Sequence, residues 1–128
     1  MTISDHKYPL KPALHRDDVA AADTGDISSS TGALQIADGL HAQVILEFSN
    51  ASAVAVIALA LFDESKDLIG ITEAQSFTAD ASWIDGVVGP YVSPCGIFDV
   101  MGARYAKALV KSLSAGTIDI YLGELRLV

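Results

Sequence analysis

The chain has a single cysteine, Cys95, in 128 residues, so no disulfide closes within it and nothing calls for an oxidising compartment. Bases are scarce. Eight Lys and Arg stand against sixteen Asp and Glu, a net charge of −8. A surface that grips phosphates needs clustered cations, so no nucleic acid and no membrane is expected among the partners. Long apolar runs are also missing. The longest, Ala53 to Phe62, is ten residues. A membrane-spanning helix needs about 20. Residues 1–18 carry no continuous apolar stretch followed by a small-residue cleavage site, and synthesis in a cytoplasm is expected.

Recognisable chemistry is equally thin. There is no G-x-S-x-G and no glycine-rich phosphate loop. His6, His15 and His41 are dispersed and lack metal-ligand spacing. Asp63, Glu64 and Asp67 share one turn but not the alternating pattern that folds oxygens around calcium, and they read as a solvated turn. Asp80 and Asp85 read as loop and turn residues rather than a carboxylate pair. Cys95 has no neighbouring base to activate it. Trp83 with Tyr91 reads as core or interface packing, with a sugar-stacking platform as the alternative. No catalytic residue, cofactor or metal is expected.

Apolar residues are abundant, 51%, and only 19% are charged. Such a balance is expected where part of the exterior is covered by another subunit. A composition shift near residue 30 divides the chain. Residues 1–30 carry Pro9, Pro12, five Asp and the run Ser28-Ser29-Ser30, and read as an extended N-terminal arm. Tyr8, Leu10 and Leu14 are its expected anchors on a neighbouring subunit, because a purely solvating tail would lack them.

Residues 31–128 read as one all-β domain, an antiparallel β-sandwich or jelly roll, from strand spacings of eight to twelve residues with Gly, Pro and Asp punctuation. Strands are expected at 33–36, 41–48, 53–62, 68–77, 87–92 and 97–100. In 41–48, Ala42, Val44, Leu46 and Phe48 face inward and Gln43 and Glu47 outward. The large residues of 53–62 change phase between Val56 and Ile57, which predicts a β-bulge. Its second face is mostly Ala, so Ala55 and Ala58 are candidate oligomer-interface residues. Residues 103–113 fit a strand or a helix. The strand is preferred, because the turn Ser114-Ala115-Gly116-Thr117 and the alternation of Ile118, Ile120 and Leu122 would complete a hairpin running to the C-terminus. Residues 32–100 hold nine acids and one base, whereas 101–128 carry Arg104, Lys107, Lys111 and Arg126 against two acids. Lys107, Lys111 and Arg126 are therefore candidate charge contacts.

The strand-turn Leu61-Phe62-Asp63, the entry Gly102-Ala103 and the stretch Ser114 to Leu122 resemble small virion structural proteins of tailed bacteriophages, in particular head decoration (cement) proteins. The resemblance spans residues 40–128. It implies a β-sandwich on the capsid exterior with an arm reaching over neighbouring subunits. The expected partners are the major capsid protein and further copies of the chain, as a trimer. The alternative is a carbohydrate- or receptor-binding β-module of a phage tail or fibre, which would expose Trp83 and Tyr91 side by side.

Overall fold

The computed structural model describes residues 13–36, 41–79, 91–100 and 102–124. They form β1 (Ala13–Val19), β2 (Leu34–Gln35), β3 (His41–Phe48), β4 (Val54–Phe62), β5 (Leu68–Ile71), β6 (Gln75–Thr78), β7 (Tyr91–Val92), β8 (Gly96–Asp99), β9 (Tyr105–Leu113) and β10 (Ile118–Glu124). One five-stranded sheet runs β1-β10-β3-β7, with β8 also on β3. The second runs β2-β9-β4-β5, with β6 also on β4. Every pairing among them is antiparallel. The fold is an all-β sandwich.

Alternation builds its core. Ala42, Val44, Leu46 and Phe48 of β3 and Ile118, Ile120 and Leu122 of β10 meet Ala55, Ile57 and Leu59 of β4 and Ala106, Ala108 and Val110 of β9. Phe77 and Phe98 stack where β6 meets β8, with ring centroids 6.3 Å apart. Gly96 lets them approach, because a Cβ there would stand 2.3 Å from the Phe77 ring. Burying these side chains supplies roughly 1.5–3 kcal/mol for each large one.

Several expectations need correction. Of residues 103–113, Tyr105–Leu113 form strand β9, but β9 and β10 are not a hairpin. They lie in different sheets, and residues 114–117 arch between them. The arch is held from outside: Ser114 Oγ accepts from Val54 N–H at 2.8 Å, and Thr117 N–H donates to Ser49 Oγ at 2.8 Å. Gly116 turns the chain at a φ of 70°. Both strands point their apolar residues at one core, and a sandwich satisfies that as well as a hairpin does.

The irregularity expected near Val56 falls at that step, yet the extra residue belongs to β9. Val56 pairs with Ser112 and Ile57 with Val110, so Lys111 bulges. Gln43, expected to face outward, is buried and accepts a contact from the Cys95 thiol at 3.4 Å.

The boundary at residue 30 also moves. Residues 13–19 are β1, an edge strand on β10, and Val19 reaches the core. Asp23 and Val110 exchange two backbone hydrogen bonds, of 2.8 and 3.1 Å. The polar composition of this stretch masked its role. It satisfies edge backbone groups and needs few apolar side chains to do so.

Candidate docking surface

The outer face of the second sheet carries a small apolar cluster of its own. Ala60 and Phe62 of β4 and Leu109 of β9 are buried there, with Ile27, Ala33 and Tyr105 packed against them. The chain's own residues 24–33 thus cover part of this face. Lys107 fastens the cover: its Nζ donates to the carbonyls of Asp26, at 2.8 Å, and Ser29. The ammonium also lies 5.7 Å from the centre of the Phe62 ring. Ser28 holds the Asp26 carboxylate by two hydrogen bonds, which lowers the pKa of that acid.

Beside this cover lies an open cavity of about 230 Å³, lined by Thr24, Ile27, Ala58, Ile71, Thr72, Ala74, Leu109 and Lys111. Its lining is mainly apolar, with Lys111 the one charged residue among the described ones. Beyond it runs β5, the last strand of its sheet, with Leu68, Ile69 and Ile71 exposed. Ile69 and Ile71 keep half their surface in water. Ile69 is itself a bulge residue, because Leu61 pairs with Gly70 and Phe62 with Leu68. Ile71 both lines the cavity and is exposed on β5, so the two adjoin as an apolar strip.

The candidate residues separate on this frame. Ala58 lies on the cavity floor and Lys111 on its lining. Ala55 points the other way, into the core between the sheets, so it forms no interface. Lys107 is engaged with the internal cover. Leu14 is exposed on β1, at the opposite flank of the molecule from β5. Tyr8, Leu10, Arg126, His6, Trp83, Asp80 and Asp85 lie outside the described residues. Tyr91 on β7 is half-buried against the core. The missed residues are Leu68, Ile69 and Ile71. Their apolar run with Gly70 was visible, but pairing decides which strand ends a sheet, and composition does not.

Other polar groups are engaged locally. Asp63 Oδ1 accepts the Asp67 N–H at 2.9 Å and caps the β4–β5 turn. Partial burial raises the Cys95 thiol pKa, which disfavours the thiolate. His15 and His41 stand on strands separated by β10. His15 borders a second, polar cavity of about 280 Å³ with Arg16, Asp23 and Lys107 among its lining. Arg16 is salt-bridged to Asp23 there. Asp17, Asp18 and Asp119 bring carboxylate oxygens within 4.8 Å of one another. Asp18, at a φ of 51°, donates its N–H to Asp119 Oδ1 at 2.8 Å.

No protein-family model and no curated protein matches the chain. Two solved structures are similar to it. The PBSX exported protein XepA is 12% identical with a TM-score of 0.51, over 95% of this chain and 43% of that one. A cleaved adhesin domain of Lys-gingipain from Porphyromonas gingivalis W83 is 14% identical with a TM-score of 0.45, over 75% of this chain and 60% of that one. The chain thus spans less than two thirds of either structure. At such identities the likeness to XepA is one of fold.

Proposed function

We propose that this protein is a non-enzymatic virion structural protein, a decoration protein that binds the outside of a bacteriophage capsid and reinforces it as a homo-oligomer, most simply a trimer. The observation that carries this reading is the apolar strip formed by the 230 Å³ cavity and the exposed β5 residues Ile69 and Ile71. A strip of that kind suits a protein partner. Two groups among the described residues agree with it: His15 accepts a backbone N–H at 3.1 Å, and partial burial raises the Cys95 thiol pKa. The sequence resemblance to cement proteins supplies the shell as the partner. A repeating shell multiplies each weak contact once the protein is oligomeric.

The test is co-sedimentation with undecorated capsids, with resistance of the shell to heat as the readout. Removing residues 1–12 takes away Tyr8 and Leu10 and spares β1; a longer cut to residue 20 would take the edge strand with it. The shortened chain is expected to remain folded and to bind shells at least tenfold more weakly, about 1.4 kcal/mol. Absence of binding by the full chain would reject the capsid reading and favour the carbohydrate-binding one.

A further inference from the structure

We propose that β5 of one copy receives residues 7–11 of a second copy as an added strand, so that the protein assembles by strand exchange. The inference rests on the reading of this protein as a self-assembling structural unit and names the contact.

The edges of the second sheet are treated differently. On the β9 side, β2 pairs with Tyr105 and Ala106, His15 takes the Ala108 N–H, and Asp23 pairs with Val110. On the β4 side, β6 is closed off by β8, because Gln75 donates to the Ile97 carbonyl at 2.8 Å and Phe77 stacks on Phe98. Among the described residues nothing covers β5. Against the described residues its outer edge is an unpaired row of donors and acceptors, bent at the Ile69 bulge and flanked by exposed isoleucines, a configuration that can receive another strand.

The occupant follows from the sequence Lys7-Tyr8-Pro9-Leu10-Lys11. In an extended strand Tyr8 and Leu10 share one face and one hydrogen-bonding side. Pro9 has no N–H, and its missing donor falls on the other side, so this strand can be an outermost one only. Added to β5, this strand would present Tyr8 and Leu10 to its edge, beside Ile71 at the cavity mouth. Charge agrees: Lys7 and Lys11 bracket the apolar pair, as Asp67 and Glu73 bracket β5.

A second copy is the source because of where β1 starts. Ala13 lies on the flank where β1 meets the β9 edge, and β5 is the opposite edge of that sheet. The direct path across the outer face is already taken by residues 24–33. Flank-to-flank donation uses unlike surfaces and closes into a ring when the rotation allows.

The test uses full chains with Cys95→Ser. A Leu10→Cys chain is mixed with an Ile69→Cys chain under mild oxidation. An interchain disulfide should form about tenfold faster than with an Ile97→Cys chain, which exposes an equally apolar site on the other sheet. Ile69→Lys with Ile71→Lys should reduce the solution mass to that of a monomer while the thermal midpoint stays within a few degrees. Equal cross-linking at Ile97→Cys overturns the proposal. So does an unchanged mass in the Lys variant. A chain carrying both Leu10→Cys and Ile69→Cys that closes on itself at high dilution also overturns it. Loss of capsid binding with cross-linking intact would reject the shell reading alone.

Discussion

The backbone N–H of Ala108 donates to the Nε2 of His15 at 3.1 Å, a bond from the β9 edge of one sheet to a side chain on the edge strand of the other. Only the neutral imidazole can accept it. Burial, with Arg16 and then Lys107 nearby, lowers the His15 pKa from 6.5 to about 4. The unfolded chain therefore binds more protons between those values. The contribution is fully present above pH 6.5, falls as the pH drops, and is exhausted below about pH 4. Its size is on the order of 3 kcal/mol. Urea unfolding of the wild type and His15→Phe at pH 4.5 and 7.5 should show it. The variant is expected to be about 1–3 kcal/mol less stable at the higher pH, from the orphaned N–H, with the gap narrowing in acid.

Asp17 behaves in the opposite sense. Its pKa is raised, first by a hydrogen bond with Asp119 and then by the charges of Asp18 and Asp119. A raised carboxyl pKa means that stability is present in acid and is lost as the pH rises through the folded value. At neutral pH the three carboxylates repel one another. Asp17→Asn should therefore raise the thermal midpoint at pH 7, with the gain shrinking in high salt and in acid. An unchanged midpoint at low ionic strength would count against the repulsion.

Strand β3 was readable because its inward residues Ala42, Val44, Leu46 and Phe48 alternate without interruption, and period 2 has a single explanation there. The partner of β10 was not readable in the same way. Ile118, Ile120 and Leu122 say which face is buried but not which strand lies alongside, and Ser114 and Thr117 found their partners on Val54 and Ser49 instead of on each other. Lys107 illustrates a second limit. A cation on a strand looks like a surface contact until a neighbouring loop offers it carbonyls, and those of Asp26 and Ser29 are about eighty residues away in sequence. Of the residues lining the cavity, Ala58 and Lys111 were singled out from the sequence. Leu68, Ile69 and Ile71 were assigned to a strand whose position at the sheet edge depends on long-range pairing.

Ala55 and Ala58 are three residues apart on one strand, and the same substitution should have different consequences at each. Ala55 pairs with Leu113 and Phe77 and faces the core between the sheets. A glutamate there has no partner and no water, and either ionises at high cost or forces the sheets apart. Ala55→Glu is expected to destabilise by at least about 4 kcal/mol and to accumulate as insoluble protein. Ala58 pairs with Leu109 on the other face, and its side chain meets the cavity that Lys111 also lines. A glutamate at that position has about 230 Å³ of open space and a cation at its border. Ala58→Glu should therefore fold, at a cost of roughly 1–2 kcal/mol, with its loss reduced when Lys111 is retained and increased in Lys111→Met. A double-mutant cycle in urea measures the coupling. Equal destabilisation by the two glutamates would show that the outer face is as tightly closed as the core, and would remove the cavity as a docking site.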